Sequence, residues 1–129
     1  MDCVFCKIVA NELPAHKLFE NEDVVAILDI YPIVIGHALV IPKKHYRWVH
    51  EVEKFGDFWE VAQRVAKAQL ATLRPSTILF ATAGFQVPHA HIHVIPAPSK
   101  EEGEFLPGVE SAKRIKLTTE RFQETKAQL

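Results

Sequence analysis

The sequence predicts an α+β fold, an antiparallel sheet with one main helix packed on a face. Short apolar runs rich in β-branched residues recur between turn signals, and one long stretch repeats its apolar residues at three- and four-residue steps. Strands this few must bury their apolar side against something, and that stretch supplies it. The 129 residues are 48% apolar and 24% charged, enough for an independent core, and no repeat or low-complexity linker divides them. Residues 1–129 are therefore read as a single domain with a less certain tail from about residue 99.

The elements follow in order. Lys17–Glu20 mixes apolar and polar residues and leads into the turn signal Asn21-Glu22-Asp23. Val24–Leu28 reads as a buried strand ending at Asp29, before Tyr31-Pro32. A further strand, His37–Ile41, follows Gly36 and stops at Pro42, whose missing amide disfavours further pairing. Between Glu51 and Leu73, Phe55, Phe58, Trp59, Ala62, Val65, Ala66, Leu70 and Leu73 form the apolar stripe of an amphipathic helix ended by Pro75. Gly56 weakens its opening turns. Thr77–Ala81 and Ala90–Ile95 read as two more strands, joined by the loop 82–88, and Pro96 and Pro98 end the pattern. Lys100–Glu104 is a polar loop, 111–128 is highly charged, and Thr118 or Thr119 caps a short helix over Glu120–Leu129.

Composition excludes several classes. Fifteen basic and 16 acidic side chains give a formal charge of -1, without the basic surplus expected of a nucleic-acid binder. The opening residues lack a basic region followed by an apolar run, and no apolar stretch approaches a membrane span, so the chain is expected to be cytoplasmic. The two cysteines, Cys3 and Cys6, form one CxxC, a spacing shared by redox pairs and structural metal sites.

Three of the seven histidines occur as His89-Ala90-His91-Ile92-His93. Period two puts their side chains on one strand face and Ala90, Ile92 and Val94 on the other. Imidazole titrates near neutrality, so such a row suits nucleophilic or acid–base work. Metal ligation and a merely solvated face remain open on spacing alone.

His89-Ala90-His91-Ile92-His93-Val94-Ile95 resembles the signature of the histidine triad (HIT) family. Cys3–Ile8, Asp29-Ile30-Tyr31-Pro32 and Gly36–Lys43 are similar to other family segments and occur in the expected order, so the resemblance runs from about Cys3 to Pro96. It implies the histidine triad fold, with sheets joined across a homodimer, and a nucleotide hydrolase or transferase working through a nucleotidyl-histidine intermediate. It implies further that His91 is the nucleophile, oriented by the backbone carbonyl of His89. His93 would bond the phosphate and stabilise the departing group, and His37 would support the cluster. Asp29 would hold ribose hydroxyls, and Ile30, with Phe5, Ile8 and Leu28, would line the base slot. Some members hold structural zinc with residues matching Cys3, Cys6, His45 and His89. That Cys2His2 set suits tetrahedral zinc, and no cofactor is needed for the chemical step.

The chain departs from the family before the triad. Phe85 stands where many members have glutamine, and Gln86 takes the usual hydroxyl position. The family asparagine is missing from 78–82, and Ala97 stands where many members place arginine. Gln86 is expected to offer an amide to the phosphate, and backbone amides near Gly84 to carry more of the oxyanion contact. The expected substrate is a nucleoside monophosphate derivative, a phosphoramidate or a dinucleoside polyphosphate. The alternative is a nucleotide-binding or sensing protein with little turnover.

Overall fold

The computed structural model describes residues 3–97 and 114–129. The expectations for Pro98, for the loop Lys100–Glu104 and for residues 111–113 lie outside the described residues.

The chain runs α1 (Val4–Val9), β1 (Lys17–Glu20), β2 (Val24–Leu28), β3 (Ala38–Pro42), a 3₁₀ turn (Val49–Glu51), α2 (Phe55–Leu73), β4 (Thr77–Ala81), β5 (Ile92–Ala97) and α3 (Thr119–Gln128). The five strands form one antiparallel sheet in the order β1-β2-β3-β5-β4. Strand β5 returns beside β3 after α2 and β4, which brings the triad segment onto the centre of the sheet. Leu39 pairs with His93, and Ala38 with Val94.

Both faces of the central strands are covered. Val24, Ala26, Ala38, Val40, Ala90, Ile92 and Val94 face α2, where Phe58, Val61, Ala62, Val65 and Ala66 meet them. The alternate residues Val25, Ile27, Leu39 and Ile41 pack on Phe5 and Ile8 of α1. Helix α1 is the element without a sequence expectation. Cys3 caps its N-terminus, accepting from the Cys6 amide at 3.4 Å.

Several boundaries differ from the sequence expectation. Helix α2 starts at Phe55 rather than near Glu51, because the Glu51 carboxylate accepts from the Trp48 amide at 2.8 Å and closes a separate turn. It ends at Arg74 in the left-handed region, before Pro75. On its faces, Phe55 and Leu70 are exposed while Gln69 is fully buried. The two amide hydrogens of Gln69 reach the carbonyls of Gly36 at 2.9 Å and Val94 at 3.0 Å. Its Oε1 is buried without a partner among the described residues. Gly36 has a φ of +93°, which L side chains rarely adopt, and it lies close against Leu73 Cδ1 at the helix end, so the backbone turn before β3 favours glycine.

Strand β3 begins at Ala38 and keeps Pro42, so His37 lies just ahead of it. Strand β5 begins at Ile92 rather than Ala90. Ahead of it the backbone is turned, with the His89 amide on the Val87 carbonyl at 2.8 Å and the Ala90 amide on the Tyr46 carbonyl at 2.7 Å. Helix α3 is capped by Thr118, which accepts from the Arg121 amide at 3.1 Å. Its Phe122 stacks on His16 at 4.8 Å, so His16 is a docking point for the C-terminal helix.

Candidate functional site

The alternation that sends Ala90, Ile92 and Val94 toward α2 sends the three triad histidines to the opposite face, although only His93 lies within β5. The His91 and His93 rings lie 5.1 Å apart, as do those of His37 and His93. The imidazole of His89 does not join them. It turns toward the cysteines, and only its carbonyl faces His91.

Hydrogen bonds assign a tautomer to each ring. His37 Nδ1 accepts from the Ile33 amide at 3.0 Å, so Nε2 of His37 carries its proton. That proton is donated to His93 Nδ1 at 2.9 Å, which leaves the proton of His93 on Nε2. His91 Nδ1 lies 2.7 Å from the His89 carbonyl and must donate to it, so its Nε2 holds the lone pair. The Thr82 hydroxyl donates to the His91 carbonyl at 2.8 Å and fixes the same residue from the other side. A pocket of about 590 Å³ opens on this face.

Burial favours the neutral forms of His37 and His93. It pushes His93 down to about 3, with the nearby His91 and Arg114 adding to the shift. His37 is driven well below its ordinary value by burial first and then by His93 and Arg114. Asp29, 13% exposed at its side chain, sits beside them with Oδ2 at 3.6 Å from His37 Nε2. Burial pushes its carboxyl up, while the Tyr31 amide, donating to Oδ1 at 2.8 Å, and Arg114 pull it back. Asp29, His37 and His93 cluster tightly enough to suggest a metal site. The tautomers argue otherwise, since the His37 nitrogen facing the other two groups carries a proton.

Asp29, Ile30, Gln86, His91 and His93 all line the pocket, with Phe5, Ile8 and Leu28 among its apolar walls. Gly84 does not line it. Its carbonyl accepts from Arg47 Nη1 at 2.8 Å and its φ is +78°, and Gln86 and Val87 are the residues of that loop that face the pocket. Phe85 is 75% exposed and meets Trp48 edge-on at 6.1 Å, outside the pocket wall. Ala97 is buried at the end of β5, opposite Thr77. Sequence reasoning missed Tyr31, Leu13, Ala15 and Arg114, which also line the pocket. Arg114 is 85 residues from Asp29 and had no periodicity or motif to mark it.

A second cluster lies on the other side of His89. Cys3 Sγ is 3.3 Å from His89 Nδ1, Cys6 Sγ is 3.5 Å from the same nitrogen, and Cys6 Sγ is 3.2 Å from His45 Nδ1. All four ligand atoms lie within 4.8 Å of one another. Zinc bonds of about 2.0–2.3 Å in a tetrahedron separate ligands by roughly 3.3–3.8 Å, which these spacings match. His89 Nε2 donates to the Pro42 carbonyl at 2.8 Å, so its Nδ1 lone pair points at the sulfurs, and such an outer bond is the usual partner of a ligating histidine. Burial also drives His89 down to about 4, which favours the neutral, ligating form. Burial and the neighbouring Cys3 raise the Cys6 thiol, a tendency a bound cation would reverse. The four residues fit zinc and leave no coordination position for water, so the ion would be structural.

The sheet thus carries a packing helix on one face and a proton-ordered histidine relay in a pocket on the other. The HIT domain model matches residues 10–100, and the chain belongs to this family, whose members are nucleotide hydrolases and transferases. It is 36% identical, over 99% of its length and 96% of the relative's, to an uncharacterized HIT-like protein of Borreliella burgdorferi. It is 39% identical, over 78% of its length and 66% of the relative's, to an adenosine 5'-monophosphoramidase of Saccharomyces cerevisiae. Among solved structures, a zinc-bound histidine triad protein from Mycobacterium smegmatis superposes with a TM-score of 0.80 at 31% identity, covering 99% of this chain and 93% of that one. No helix among the described residues is long and apolar enough to cross a membrane.

Proposed function

We propose that the chain hydrolyses nucleoside monophosphate derivatives, a nucleoside phosphoramidate or a dinucleoside polyphosphate, through a nucleotidyl-histidine intermediate on His91. The observation that carries this reading is the 2.7 Å bond from His91 Nδ1 to the His89 carbonyl, which orders the lone pair of Nε2. That nitrogen attacks the α-phosphorus, and the bond to the leaving group breaks with its electron pair going to that group. Water then attacks the same phosphorus, His91 is released and the net reaction consumes one water. His93, its Nε2 proton set by His37, donates to the phosphoryl oxygens as charge builds. Asp29 accepts from the ribose diol, and Ile30 with the apolar walls takes the base. The activity named for the yeast relative favours the phosphoramidate.

Phe85 and Gln86, in place of the family glutamine and hydroxyl, favour a second reading, a nucleotide-binding or sensing protein with little turnover. We also infer a homodimer. Among the described residues strand β4 is a sheet edge, and exposed Phe80 on it meets Trp59 of α2 at 6.0 Å, which gives a second copy an apolar surface beside that edge.

Rapid-quench intact-mass measurement with an adenosine phosphoramidate and a diadenosine polyphosphate tests the enzyme reading. A transient gain of one nucleotidyl mass, absent from His91→Ala, is the expected result. Measurable binding with neither adduct nor turnover sinks it in favour of the sensor.

A further inference from the structure

Residues 114 and 115 return to the pocket from the far end of the chain, and both contact the turn that carries Asp29. Arg114 Nη1 lies 3.4 Å from Asp29 Oδ2 and 3.1 Å from the Tyr31 carbonyl. The next residue latches the backbone, with the Ile115 amide donating to the Pro32 carbonyl at 2.8 Å. Arg114 also lines the pocket beside His91 and His93, the one cation among the described lining residues.

The carboxylate is thereby held at both ends. Oδ1 accepts from the Tyr31 amide at 2.8 Å and Oδ2 faces the guanidinium. A carboxylate offers about four acceptor positions, so these two contacts leave capacity for a vicinal diol. At 3.4 Å the ion pair is looser than the roughly 2.8 Å of a tight charge-assisted bond, so the guanidinium aligns the carboxylate without locking it. Asp29 needs this help because burial works against its charged form.

We propose that Arg114 is a positioning residue for ribose recognition: anchored on the Tyr31 carbonyl, its guanidinium keeps the Asp29 carboxylate aimed at the 2′- and 3′-hydroxyls of the nucleotide. The C-terminal segment is then part of the substrate site. This rests on the nucleotide reading above and adds to it a residue that reaches the ribose through Asp29.

Calorimetric titration of the full chain with adenosine 5′-monophosphate and with its 2′,3′-dideoxy analogue separates the possibilities. The wild type prefers the diol. Arg114→Gln weakens the diol ligand about tenfold and leaves the dideoxy ligand within about twofold, which also verifies that the variant is folded. Arg114→Lys recovers part of the loss, and in an Asp29→Asn background Arg114→Gln adds nothing further. Equal weakening of both ligands overturns the proposal, because Arg114 would then touch phosphate or base. No weakening of either overturns it as well. A wild type that binds both ligands equally removes the ribose role of Asp29 and this proposal with it, while one that binds neither brings down the nucleotide reading itself.

Discussion

Two histidine clusters share one face of the sheet and obey opposite rules. Around Cys3, Cys6, His45 and His89, the Nδ1 atoms of both imidazoles converge on sulfur, an arrangement completed by a cation. Around His37, His91 and His93, the ring protons of His37 and His91 go to the His93 ring and the His89 carbonyl, which leaves that of His93 on Nε2, and no added charge is needed to order them. His89 belongs to both, through its side chain in the first and its carbonyl in the second. The comparison teaches that an imidazole's use is decided by what its other nitrogen touches, and not by its place in the motif.

The difference can be tested where the clusters diverge most. His91→Ala is expected to lower turnover about a thousandfold or more while shifting the thermal midpoint by only a few degrees, since the ring borders a pocket. Steady-state rates beside a calorimetric melt would show it, and a protein that loses fold and activity in parallel would erase the distinction. Stripping metal with a chelator is expected to do the reverse, lowering the midpoint by about 10 °C while activity falls only as far as folding does. Metal analysis after chelator-free purification should find about one zinc per chain, and a chain without zinc but with both thiols reactive would refute the structural site.

Smaller changes probe the relay itself. His37→Ala removes the donor that fixes the His93 tautomer and is expected to lower kcat about 10–100-fold with KM little changed. A loss in KM alone would place His37 in packing. The smallest effect is on stability against pH. His93 is held at about 3 and His37 well below its ordinary value, both under the roughly 6.5 of an unfolded histidine. Below that value the unfolded chain binds more protons. The stability each contributes is therefore fully present above about pH 6.5 and is lost as pH falls, for His93 toward about 3. The charged and titratable groups facing the pair are Asp29, His91 and Arg114. Chemical denaturation at stepped pH should reveal the slope, and a His37→Asn/His93→Gln variant should flatten it. An unchanged slope would assign the acid sensitivity elsewhere.

Much of this was legible in the sequence because alternation is a local property. Ala90, Ile92 and Val94 had to face a core if His91 and His93 faced a site, and the apolar period of α2 supplied that core. The start of β5 was not legible, since the backbone bends at 85–89 and the Ala90 amide goes to the Tyr46 carbonyl, distant in sequence. Gln69 defied its type, being polar and buried, because its partners are two backbone carbonyls on other elements. The contact of Arg114 with Asp29 is likewise set by chain return alone.

Gln69 carries a consequence of its own. One hydrogen of its amide holds the residue before His37 and the other the residue after His93, both from behind the sheet. The width of a single NH2 group thus works as a ruler for the gap between two imidazoles on the opposite surface. A conservative-looking change there, to leucine or to glutamate, would alter a distance in a pocket the side chain never enters.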